Sequence, residues 1–206
     1  MKSCASSKPC AGWLQPDMPD RLSLSLWLRG GVTPQNQYRA LDKVLRAFPF
    51  SKLSTGASTL MIMAVDWSEP PVAEYPLETA PDPEEVIRLA KEFKESDTAI
   101  QLDTYWDLWG KLDADWQLLP APVSILSFGR DFDRDGGEDF RIDFGTESRF
   151  LPQGGAASLK MVQSNIKSLL RLVHELDDIL PVEKRHLSTE SAENFAAKLQ
   201  DVLGEL

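Results

Sequence analysis

Cysteine and histidine are nearly absent from this chain: two of each occur in 206 residues. Cys4 and Cys10 stand with five residues between them in a small, polar N-terminal stretch, which is neither zinc-ribbon nor thioredoxin spacing. They read as exposed thiols of an irregular tail, residues 1–19. The rest of the chain has no cysteine, so its fold needs no disulfide, in keeping with a reducing cytosol. His174 and His186 are too few for a multi-histidine metal site. Long apolar runs are missing too. The longest, Leu60 to Val65, falls far short of a membrane span, and the tail has no signal-peptide core. A cytoplasmic protein with no membrane partner is the expectation.

Basic excess is a further lack. Against 32 acids stand 22 lysines and arginines, for a net charge of -10. Binding to a phosphate backbone releases counterions only through basic side chains, so nucleic acid is excluded as the expected ligand. An acidic surface instead steers basic partners towards itself. No Gly-x-Ser-x-Gly elbow, phosphate loop or Gly-x-Gly-x-x-Gly fingerprint occurs, and each of those motifs carries a specific catalytic or phosphate-binding geometry. The reading therefore leans away from an enzyme.

What is present is regular patterning. From Arg21 to Arg29, leucines at 22, 24, 26 and 28 alternate with mostly polar residues, the period of a half-buried strand. Thr33-Pro34 then predicts a helix N-terminus with proline at its first position, and Tyr38, Leu41, Val44, Leu45 and Phe48 form its apolar stripe. Thr59 to Trp67 reads as a strand buried on both faces, and Val72 to Leu77, with Pro76, as an edge strand. Asp82-Pro83 opens a second helix with Val86, Leu89, Ala90 and Phe93 inward. Thr98 to Trp109 is a long strand with Ile100, Leu102, Thr104, Trp106 and Leu108 on one side. Strand, helix, strand, strand, helix, strand is the ferredoxin-like βαββαβ order.

Beyond a polar linker, Val123–Phe128 and Phe140–Phe144 predict a β-hairpin. Leu159, Val162, Ile166, Leu169, Val173, Leu176 and Leu180 step by threes and fours, an amphipathic helix ended by Pro181. Ser188 or Thr189 caps a last helix with Ala192, Phe195, Ala196, Leu199, Val202 and Leu203 inward. The expected fold is α+β. After the tail, residues 20–206 form one domain: a ferredoxin-like unit (20–110), a hairpin (116–152) and two C-terminal helices (157–206) packed on a mixed sheet.

Two stretches hold candidate chemistry. The hairpin tip contains Asp131, Asp133 and Asp135 followed by Gly136, the opening of an EF-hand loop. The twelfth position, where a bidentate Glu belongs, is Ile142, and the flanks are strands instead of helices. A different calcium or magnesium site from Asp131, Asp133, Asp135 and Asp139, structural or assisting a hydrolase, is the alternative reading. A charged turn that discourages edge pairing is the simpler one, and no cofactor is expected. The second stretch is the outer face of the long strand, Asp103, Tyr105, Asp107 and Trp109. Its two acids are spaced ~13 Å apart along a strand, outside both glycosidase geometries, but suited to contact with a basic protein. The function expected from sequence is a non-catalytic, inhibitor- or immunity-like protein that binds a basic partner.

Overall fold

The computed structural model describes residues 20–78, 80–113, 115–151, 156–189 and 195. In chain order the elements are β1 (Arg21–Leu28), α1 (Gln37–Ala47), β2 (Ser58–Ala64), β3 (Ala73–Leu77), α2 (Pro83–Ala90), β4 (Thr98–Leu112), β5 (Asp115–Phe128), β6 (Phe140–Thr146), a 3-10 turn (Glu147–Arg149), α3 (Ala156–Ile179) and β7 (Val182–Thr189). The fold is α+β, as the patterning predicts. Seven strands make one antiparallel sheet in the order β3-β2-β4-β5-β6-β1-β7.

That order departs from a ferredoxin-like unit. The βαββαβ sequence of elements is present, but β4, β5 and β6 stand between β2 and β1. β1 pairs with β6, Leu24 opposite Ile142 and Leu26 opposite Phe140. The reason lies in matching pleats: both strands put alternate large apolar residues on one face, and a register that buries both sets is strongly favoured. Leu22, Leu24 and Leu26 are fully buried, each contributing about 2 kcal/mol. After β1 the chain turns at Gly30 and Gly31, both at positive φ (79° and 70°), a conformation that glycine adopts without steric cost.

Helix starts follow local chemistry. At α2, Asp82 Oδ1 accepts the Glu84 N–H at 3.0 Å, with Pro83 at the first helical position. At α1 the helix begins three residues later than Pro34. Thr33 and Asn36 cap one another first: the Thr33 N–H donates to Asn36 Oδ1 (2.7 Å), and the Asn36 N–H donates to Thr33 Oγ1 (3.3 Å).

All three helices pack on one face of the sheet. Leu41, Val44 and Leu45 of α1, Val86 and Ala90 of α2, and Val162, Ile166, Leu169 and Leu176 of α3 share a core with Ile100, Leu102 and Trp106 of β4. Asn165 ties α3 to the sheet. Its Oδ1 accepts the Trp109 N–H (2.9 Å), and its Nδ2 donates to the carbonyls of Trp109 and Arg149 (both 2.8 Å).

Two further expectations are corrected. Gly110 to Asp115 is not a linker: Gly110, Lys111 and Leu112 end β4 and Asp115 begins β5, the two strands pairing from Leu112↔Asp115 onward. Pro120 and Pro122 are tolerated because β5 meets β6 only from Ser124 on, leaving the earlier residues at a sheet edge. The segment after Pro181 is a strand as far as Thr189: Ser188 lies opposite Ser23 and Thr189 opposite Leu22, and the residues that Thr189 would cap lie outside those described. Of the expected last helix, Phe195 is helical and buried. Ala192, Ala196, Leu199, Val202 and Leu203 lie outside the described residues, as do Cys4 and Cys10.

Candidate interaction surface

Alternation along β4 sends Gln101, Asp103, Tyr105, Asp107 and Trp109 to the sheet face opposite the helices, where all five are half-buried. The helices leave this face uncovered, and antiparallel sheets can present one face to water. Yet its acids are engaged within the protein. Asp103 Oδ1 accepts hydrogen bonds from Ser124 Oγ (2.6 Å) and Gln101 Nε2 (2.9 Å). Asp107 accepts the Ser51 hydroxyl and, at 2.8 Å, the Lys52 N–H, so it anchors the loop between α1 and β2. The Tyr105 hydroxyl lies 2.8 Å from where a Cβ of Gly56 would be, so the same loop covers the phenol. Trp109 is tied through its backbone to Asn165. The strand face thus supports a loop, and a depression of about 290 Å³ lies beside Asp103.

The acids of the β5–β6 connection divide into two groups. Asp139 is buried, and its two oxygens accept the N–H groups of Leu28 (2.7 Å) and Val32 (3.0 Å), which locks the β1–α1 turn. Asp131, Asp133 and Asp135 are exposed. Asp131 accepts the Ser96 hydroxyl at 2.5 Å. Among the described residues, no three acidic, histidine or cysteine side chains converge as metal ligands.

What the fold does bring together is three loops distant in sequence. The Asp133 N–H donates to the Val65 carbonyl (2.8 Å), the Val65 N–H to that of Asp97 (2.9 Å), and the Asp131 N–H to that of Ser96 (2.8 Å). Stitched this way, residues 65–72, 94–97 and 129–139 form one rim at the end of the sheet. Arg134 braces it from inside, donating to the carbonyls of Glu138 (2.6 Å), Gly129 (2.8 Å) and Phe132 (3.0 Å) and lying 5.2 Å over the Phe128 ring. Burial pulls its guanidinium below the ordinary arginine value, and the charges of Asp139 and Glu138 oppose that pull.

Trp67, on the 65–72 loop, packs against the 129–139 loop. Its ring packs edge-on against Phe132 (5.0 Å) and Phe128 (5.9 Å), which with Met63, Ala99 and Leu126 form a second small core on the uncovered face. Even so, Trp67 remains 41% exposed, beside Val65 at 53% and Val72 at 54%. Around it the three loops carry Asp66, Glu69, Glu95, Asp97, Asp131, Asp133 and Asp135. Glu69, Glu95, Asp133 and Asp135 make no ion pair among the described residues. Asp66 is held below the usual carboxylate range by the Ser68 hydroxyl, then by the Ser68 N–H. Val65 has φ +70°, a strained conformation for a β-branched residue, and such strain concentrates at functional sites.

Comparison with protein-family models, with curated proteins and with solved structures gives no match. The site must be judged on its geometry.

Sequence patterning missed Val65 and Trp67 because they look like the end of an apolar strand. The one local signal was the Asp66-Trp67-Ser68 turn, with a large aromatic where turns are ordinarily polar.

Proposed function

We propose that the chain is a non-catalytic acidic protein that binds a basic protein partner through the three-loop rim, with Trp67 as the apolar anchor. One observation carries this reading: carboxylates from three separate loops, without an ion pair among the described residues, share a rim with a half-exposed tryptophan that packs on Phe128 and Phe132. Binding energy at protein interfaces concentrates in such central aromatic anchors, while the surrounding charge sets encounter rate and partner choice. The net charge of -10 repels nucleic acid and favours a cationic protein. The compartment this reading expects is the cytoplasm. Under it Asp103 ties β4 to β5 and Asp107 supports a loop, so the partner surface moves from the β4 face to the adjoining rim.

The test is affinity capture at low ionic strength with three immobilised forms: the full chain, Trp67→Ala, and Asp133→Asn with Asp135→Asn. The expected result is a basic host protein retained by the wild type, released by salt and lost with Trp67→Ala. Capture of nothing basic, or equal capture by all three forms, overturns the proposal.

A further inference from the structure

A second feature lies at the opposite end of β4, where the β4–β5 hairpin projects beyond β6. There the turn Glu147–Arg149 folds against the hairpin, and a pocket of about 210 Å³ opens between them. Arg149, Lys111, Thr146 and Ser148 line it together with the Trp116 indole, and among the described residues no carboxylate side chain does. In a chain with ten more acids than bases, that lining runs against the overall charge. At physiological ionic strength charges are screened beyond about 8 Å, so an occupant feels mainly the local cations.

Arg149 is the informative residue. Its Nη1 is buried and has no hydrogen-bond partner among the described residues, and burial pulls the guanidinium below its ordinary value. A buried charge without a counter-charge is costly, and the cost falls when an anion enters. Gly110 makes the room: a Cβ there would sit 3.3 Å from Arg149 Nη1 and from Leu119 Cδ1. The hydroxyls of Thr146 and Ser148 are hydrogen-bonded to one another at 3.0 Å.

We propose that this pocket binds a tetrahedral oxyanion, the phosphate group of a small phosphorylated ligand, through Arg149 and Lys111. A guanidinium and an ammonium lining one pocket suit a doubly charged anion with oxygens on several sides. The Trp116 ring supplies an apolar wall for the attached organic group. This site is separate from the rim and stands or falls independently of it.

The probe is inorganic phosphate, titrated into the full chain at constant ionic strength while thermal unfolding is followed. A specific site gives a saturable rise in Tm. Lys111 is exposed, so Lys111→Gln folds normally and is expected to weaken phosphate binding about tenfold, as the loss of a charged hydrogen bond does. Arg149→Gln abolishes the rise. Sulfate, with the same shape, reproduces the effect, and acetate does not. An absent or non-saturable rise, an equal rise in Lys111→Gln, or an equal response to acetate overturns the proposal.

Discussion

Asp139→Ala removes the carboxylate that joins the end of the β5–β6 connection to the β1–α1 turn. Both carboxylate oxygens accept buried backbone N–H groups, those of Leu28 and Val32. Alanine supplies no replacement acceptor, so two buried donors are stranded at about 1–3 kcal/mol each. Arg134 also loses a nearby counter-charge. The expected loss is about 3–5 kcal/mol, a large share of the 5–15 kcal/mol that typically separates native from unfolded protein. With a urea slope of about 2–3 kcal/mol per molar, the midpoint falls by about 1.5 M. Asp139→Asn is expected to lose less, because one acceptor oxygen survives. Asp133→Ala and Asp135→Ala, on the exposed rim, should stay within about 0.5 kcal/mol of wild type. Running the urea series in a chelator separates this role from metal ligation, which would make Asp139→Ala nearly silent without metal. A loss for Asp139→Ala below about 1 kcal/mol, or equal to that of Asp135→Ala, refutes the reasoning.

Val65→Gly relieves a left-handed residue, worth about 1–2 kcal/mol, against a glycine entropy cost of about 0.5–1 kcal/mol. Urea unfolding should show a gain of about 0.5 kcal/mol while capture of the basic partner weakens; clear destabilisation would contradict the strain. Asn165→Ala breaks three hydrogen bonds between α3 and its neighbours and should cost about 2–4 kcal/mol. Asn165→Asp should be worse, since it turns an oxygen towards two carbonyls; thermal melts decide both. The folded-state pKa of Asp66 is depressed. Its contribution to stability is therefore present above the unfolded carboxylate value of about 4 and lost as pH falls through the folded one. Ser68→Ala should move the Asp66 titration, followed by carboxyl NMR, upward towards the ordinary value, and an unmoved titration would show that the hydroxyl has no part in it.

The expected helix pair also illustrates how edge strands hide. Val182–Thr189 carries Glu183, Lys184, Arg185 and His186 in succession, which reads as a loop. Charges of this kind are what natural edge strands use to refuse further pairing. Lys184 nevertheless finds a place over the Trp27 ring, 4.3 Å from its centre, and β7 completes the sheet beside β1.

By itself, the sequence determined which residues face inward and where most elements lie. The leucines of β1, the even-numbered residues of β4 from Thr98 to Gly110 and most of the stripe of α3 are buried as their periods require, because periodicity is a local property of the backbone. The Asp82-Pro83 cap is local in the same way. Only the tertiary structure decided which strand edges meet, since an apolar face specifies that it must be covered but not by what. The same distinction governs the rim. Val65, Asp97 and Asp133 come from three loops that meet only once β2, β4 and β5 lie side by side, so sequence spacing could not join them around Trp67.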